Sequence, residues 1–138
     1  MTESAATPRT VVPEPGDPAR AIMVSPVVEV GERASLREVA ALLTDEAVGA
    51  VLVRHQAGDA VGIISERDVV RALAEGGDPD EVWAADVMTA PVLWVGADDS
   101  ISSVAELMEL GGVRHVPVKD HGRTMGMISV RDVLDVLV

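Results

Sequence analysis

Two short stretches carry groups suited to holding an anionic, sugar-bearing ligand: Ser65-Glu66-Arg67-Asp68 and Ser129-Val130-Arg131-Asp132. Each stands where a β-branched run gives way to a helical one. A helix start offers unpaired N–H groups and the positive end of the dipole, and both suit phosphate. A Ser hydroxyl there can donate to a phosphate oxygen. An Asp one turn on can accept from vicinal ribose hydroxyls, as an acidic residue does in dinucleotide folds. The same residues also suit a helix cap, with Ser as N-cap and Asp complementing the dipole. Duplication copies a cap as faithfully as a site, so the recurrence leaves both readings open.

A third stretch, Gly112-Val113-Arg114-His115-Val116-Pro117, sets Arg114 and His115 on a strand otherwise made of Val. Arg is a fixed cationic fork for phosphate, and His is a switchable donor or acceptor. An exposed strand face would use the same residues. The corresponding run, Gly49-Ala50-Val51-Leu52, is wholly apolar.

These stretches correspond because the chain says nearly the same thing twice. Met23-Val24-Ser25-Pro26-Val27 returns 65 residues later as Met88-Thr89-Ala90-Pro91-Val92. Gly62 to Val69 returns 64 residues later as Gly126 to Val133, the lost residue falling in the turn Ala57–Ala60. Repetition decides architecture before local patterns do. Each copy predicts a short strand (Val27–Val30; Val92–Val95) and then a helix capped by Ser35 or Ser100. Apolar residues of helical period follow: Leu36, Val39, Ala40 and Leu43 in one copy, Ile101, Val104, Ala105 and Met108 in the other. Two strands with hairpin-like adjacency come next (Val48–Arg54 and Ala60–Ser65; Val113–Lys119 and Thr124–Ser129), then a closing helix (Glu66–Glu75; Val130–Val138). The expected fold is α/β, a β-α-β-β-α unit occurring twice with pseudo-twofold symmetry. Its expected divisions are a disordered tail over 1–20, repeats over 21–75 and 85–138, and a linker over 76–84. Val69, Val70, Ala72 and Leu73, with Val133, Leu134, Val136 and Leu137, make a stripe wider than one sheet needs. Packing between the copies covers part of it, and a second chain is expected to cover the rest.

Composition narrows the function classes. The chain has 138 residues and a formal charge of −12, which opposes binding to nucleic-acid phosphates. There is no cysteine, hence no thiol catalysis, thiolate zinc site or disulfide. No apolar run approaches the roughly 18–20 residues of a membrane span, and Met1–Arg20 lacks a signal-peptide core. The expectation is a cytoplasmic protein without nucleic-acid or membrane partners. No Phe or Tyr is present, so the core must be aliphatic.

Together these motifs resemble the cystathionine-β-synthase-type (CBS) domain pair, or Bateman module. The likeness rests on Asp86-Val87-Met88-Thr89-x-Pro91-Val92, on Gly112-x-x-His115-Val116-Pro117 and on the doubled Gly-x-h-S-x-R-D-V, and covers about Ala21 to Val138. In length the chain is similar to stand-alone bacterial two-domain members. The resemblance implies two clefts for AMP, ADP, ATP or S-adenosylmethionine, with no catalytic cofactor. Each cleft takes the Ser-x-x-Asp of one copy and the strand residues of the other. One would use Ser65, Arg67 and Asp68 with Val92, Val113, Arg114, His115 and Pro117: apolar walls for adenine, Asp68 for ribose, and Ser65, Arg67 and Arg114 for phosphate. The other would use Ser129 and Asp132 with Val27, Ala50 and Val51. There Val24 replaces Thr89, Ala21 replaces Asp86, and the mid-strand His and Pro are missing, so this cleft is expected to be weak or empty.

Three function classes compete. A non-enzymatic sensor would bind an adenosyl ligand and pass the signal to a separate effector protein. An interaction module would bind nothing and dimerise through its helix faces. An enzyme is disfavoured, because neither a nucleophile elbow nor metal-ligand spacing is present. Removing Ser65, Asp68, Arg114 or His115 separates the first two: a sensor loses binding and a scaffold loses nothing.

Overall fold

The computed structural model describes residues 12–56 and 58–138. In the first repeat, β1 (Glu29–Gly31) leads through α1 (Leu36–Asp45) to β2 (Ala50–Arg54), β3 (Ala60–Ser65) and α2 (Glu66–Ala74). A short helix, α3 (Ala84–Val87), precedes the second repeat: β4 (Val95–Gly96), α4 (Ile101–Gly111), β5 (His115–Asp120), β6 (Arg123–Ser129) and α5 (Val130–Leu137). Each repeat is a mixed α/β unit with a three-stranded sheet, ordered β1-β2-β3 or β4-β5-β6. The first pair in each is parallel, as a β-α-β crossover requires, and the second is antiparallel. The opening strands are shorter and later than expected, because only Glu29–Gly31 and Val95–Gly96 reach a partner strand.

Ser35 and Ser100 start α1 and α4 as N-caps, accepting from the N–H groups of Glu38 and Ser103. In α1 the Glu38 side chain answers by accepting from Ser35 N–H, completing a capping box. Gly112 ends α4 in the left-handed conformation, φ 63°. Its counterpart, Ala47, takes φ 53° and lacks glycine's freedom there.

The cores are aliphatic, as composition required. Leu36, Val39, Val51, Val53 and Ile64 anchor one; Ile101, Val104, Val116, Val118 and Ile128 anchor the other. Each core also contains an alanine from the segment that precedes the other repeat. Ala19 lies fully buried in the second core and Ala84 in the first. Matched main-chain bonds hold these segments. Ile101 N–H donates to Asp17 O and Ala19 N–H to Asp99 O; Leu36 N–H donates to Val82 O and Ala84 N–H to Ala34 O.

This exchange runs across the expected divisions. The part of the tail over 1–11 lies outside the described residues, but Pro15 to Arg20 is bound to the second repeat. The expected linker over 76–84 is likewise packed on the first repeat from Pro79 onward. Further along, Met23 covers Gly126 on β6 and Met88 covers Gly62 on β3, where a Cβ would collide with the methionine. Exchanged segments of this kind bind the two repeats into one body.

Candidate functional site

The third strand of each repeat runs directly into its closing helix at Ser65 or Ser129. Both serines are N-caps and both Ser-x-x-Asp stretches are complete capping boxes. Ser65 N–H and Oγ–H donate to Asp68 Oδ2 at 2.8 and 3.0 Å, and Asp68 N–H donates back to Ser65 Oγ at 3.2 Å. The bonds around Ser129 and Asp132 repeat this at 2.9, 3.0 and 3.3 Å. The capping reading therefore holds for both stretches, and the Ser65 hydroxyl is spent on Asp68 rather than held ready for phosphate. One oxygen of each aspartate is outside the box. Asp68 Oδ1 faces Arg71 Nη1 at 3.8 Å.

Around Asp68 lies a cleft of about 480 Å³ between the repeats. The first repeat supplies Gly49, Ile63, Ser65, Glu66, Arg67, Asp68 and Arg71; the second supplies Gly111 to His115, and Thr89 comes from the segment entering it. Thr89 is held by paired main-chain bonds to Ile63 on β3. The left-handed turn at Gly112 ends α4 at the cleft and leads into Val113, Arg114 and His115. The topology thus brings Ser65, Arg67, Asp68, Val113, Arg114 and His115 together across the repeats. Arg67, Arg71 and Arg114 give this cleft three guanidinium groups, a local excess of cations on a chain of net charge −12.

Val92 and Pro117 do not line it. Pro117 is fully buried, paired with Met127 in the interior of β5 and β6. Arg71 is outside the motifs, and Thr89 enters the sequence reading only through the opening motif. Arg71 lies one helical turn beyond Asp68, where spacing alone would have found it.

The mirror cleft is smaller, about 170 Å³, and gathers Val27, Ala50, Ser129 and Asp132 with Val24, Pro26, Val48 and Met127 among others. Val51 is not part of it, being fully buried in the first core. No Arg or Lys lines this cleft among the described residues. The Arg114 position is occupied by Gly49 and the Arg71 position by Asp135. Small-molecule pockets usually enclose about 300–1,000 Å³, a range that admits the first cleft and excludes the second.

His115 lines both clefts. Its half-buried ring is held below the ordinary histidine pKa, chiefly by burial and also by Arg114; Glu66, Asp132 and Asp68 oppose this. A broader groove, about 570 Å³, lies at the far end of the first sheet. Its charges are largely paired with one another, Arg54 with Glu29 at 3.2 Å and His55 with Glu32 at 2.9 Å. Among the described residues no cluster of His, Asp or Glu has metal-binding geometry, and no helix is long and apolar enough to cross a membrane.

Two repeats of this topology, joined crosswise around such clefts, define a class, and comparison with known proteins names it. The CBS domain model matches residues 19–75 and 84–138, so the chain belongs to the CBS domain family. An uncharacterized protein of Methanopyrus kandleri is 35% identical over 101 residues, covering 72% of this chain and 52% of its own length. The chain spans about half of that relative, and 43% of another from Methanocaldococcus jannaschii. Among solved structures, a CBS-domain containing protein of Agrobacterium tumefaciens superposes with TM-score 0.80 at 30% identity, over 94% of this chain and 100% of that one. A CBS domain protein of Pyrobaculum aerophilum, complexed with AMP, superposes with TM-score 0.76 at 30% identity, over 83% and 88% of the two chains.

Proposed function

We propose that this CBS pair is a non-enzymatic sensor that binds an adenosine-bearing ligand, with AMP, ADP, ATP or S-adenosylmethionine as the candidates, in the larger cleft. One observation carries the reading: a carboxylate with an oxygen to spare and three guanidinium groups converge from both repeats on a cavity of suitable size. Asp68 Oδ1 accepts from the ribose hydroxyls while Oδ2 keeps its cap. Arg114, Arg67 and Arg71 meet the phosphate, and Ile63 and Val113 wall the base. The AMP complex of the Pyrobaculum relative supports this choice of ligand class. The smaller cleft, which no Arg or Lys lines among the described residues, binds phosphorylated ligands weakly or not at all.

Because the cleft is built from both repeats, a ligand that bridges them favours one relative disposition. The shift can be no larger than the ligand's differential affinity for the two states. A separate effector protein reads that shift. The exposed apolar residues Val70 and Leu73 on α2, with Leu134 and Leu137 on α5, are the surface for a second copy of the chain. The same surface favours one alternative, a homodimeric interaction module that binds no ligand.

A thermal-shift panel of AMP, ADP, ATP and S-adenosylmethionine on the wild type and Asp68→Ala tests the sensor. At about 100 times its Kd a ligand stabilises the fold by ~2.7 kcal/mol, several degrees of melting temperature for a chain of this size. A rise with one of these ligands, absent in Asp68→Ala, is the expected result. No rise with any at millimolar concentration would favour the interaction module.

A further inference from the structure

The two clefts meet at one side chain. His115 lines both, and so does Gly49 beside it. Ring Nε2 lies 3.0 Å from where a Cβ on Gly49 would stand, so the ring rests on bare backbone. The counterpart of His115 in the first repeat is Ala50, so the first repeat offers no imidazole at the matching position. The charged groups acting on it come from three directions: Glu66 and Asp68 on α2, Asp132 on α5, and Arg114 just before β5. Burial and Arg114 favour the neutral ring, and the three carboxylates favour the charged form. A histidine balanced in this way responds to one further negative charge.

We propose that His115 is a proton-taking residue shared by both clefts, so that seating a phosphorylated ligand beside Arg114 is accompanied by protonation of the ring and favoured by mild acid. The ligand half of this rests on the nucleotide reading of the larger cleft; the sharing of the ring does not. The phosphate supplies the additional negative charge and a proton from solvent neutralises part of it. Linkage fixes the sign. If the ligand promotes protonation, protonation strengthens the ligand to the same extent, and affinity rises as the pH falls through the ring's titration. The charged ring then also faces the smaller cleft, which no Arg or Lys lines among the described residues.

The test follows the ring directly. The chain has three histidines, His55, His115 and His121, so proton NMR of the full chain yields three imidazole titrations, with His115 assigned by its loss in His115→Gln. Its midpoint is expected below the ordinary histidine value in the free protein and higher with saturating AMP. Asp68→Asn and Asp132→Asn should each lower it in the absence of AMP, since each removes a carboxylate that favours the charged ring. If AMP perturbs the amides of Ser65 and Asp68 but leaves the midpoint unmoved, the proton linkage is overturned. If only one of the Asn variants moves the midpoint, the ring is not shared. Should AMP perturb neither amide, the nucleotide reading and the linkage built on it both fail, and the Asn variants still decide the sharing.

Discussion

Asp68 serves the fold and the proposed ligand with different oxygens of one carboxylate. Its Oδ2 closes the box with Ser65, and its Oδ1 is turned toward Arg71 and the cleft. Asp132 makes the same box in the mirror cleft. Asp68→Ala and Asp132→Ala each remove the N3 half of a capping box and should therefore each cost about 1 kcal/mol of stability, as urea unfolding would show. Only Asp68→Ala should also abolish the ligand-induced rise in melting temperature. His115 predicts a pH effect on the free protein. Its folded pKa lies below its unfolded value of about 6.5, so the unfolded chain takes up a proton that the fold resists. This residue's contribution is intact above about pH 6.5 and is lost as the pH falls from there toward the lower folded value. Melting temperatures measured from pH 7.5 to 5.5 should fall less steeply in His115→Gln. At this scale the sequence singles out Arg114 and His115, whose types break an apolar strand, and Ser65 and Asp68, whose spacing recurs at a helix start. It misplaced Pro117 and Val51 because a motif position does not say which sheet face a residue takes.

Among the elements, helices and strands were legible because aliphatic periodicity and Ser caps mark them, and duplication let each copy check the other. The crosswise exchange of Pro15–Arg20 and Pro79–Ala84 was not. Most of its bonds are main-chain to main-chain, its ion pairs Arg20–Asp98 and Arg37–Asp80 lie at the surface, and its buried anchors are single alanines, Ala19 and Ala84, which leave no periodic trace. Within the tail expected to be disordered, Pro15 instead stands in a turn and Pro18 takes extended backbone ahead of the short 3-10 helix Ala19–Ala21. Comparing the copies also exposes a strained position. Gly112 ends α4 with φ 63°, whereas Ala47 must adopt φ 53° without that freedom. Left-handed backbone costs a non-glycine residue roughly 1–2 kcal/mol. Ala47→Gly should therefore raise stability by about 1 kcal/mol, and an unchanged or lower urea midpoint would show that the turn carries no such strain.

For the whole molecule, near-symmetry of fold coexists with asymmetry of charge. Arg114 and His115 stand where the first repeat has Gly49 and Ala50, and Arg71 stands where the second has Asp135. Duplication kept the scaffold, including both capping boxes, and left one cleft rich in guanidinium groups. The outer faces of α2 and α5 remain apolar and exposed at Val70, Leu73, Leu134 and Leu137. Replacing Leu73 and Leu134 together by Glu should convert a dimer to a monomer in sedimentation velocity. A wild type that sediments as a monomer would remove the proposed second copy from that surface.

The most direct measurement is isothermal titration of AMP into the wild type, Asp68→Asn and Asp132→Asn at fixed salt and pH. Asn keeps a side-chain oxygen for the cap but removes the charge. The account predicts one site per chain in the wild type, lost or strongly weakened in Asp68→Asn and retained in Asp132→Asn. Equal binding by Asp68→Asn and the wild type, or binding lost only in Asp132→Asn, would contradict it.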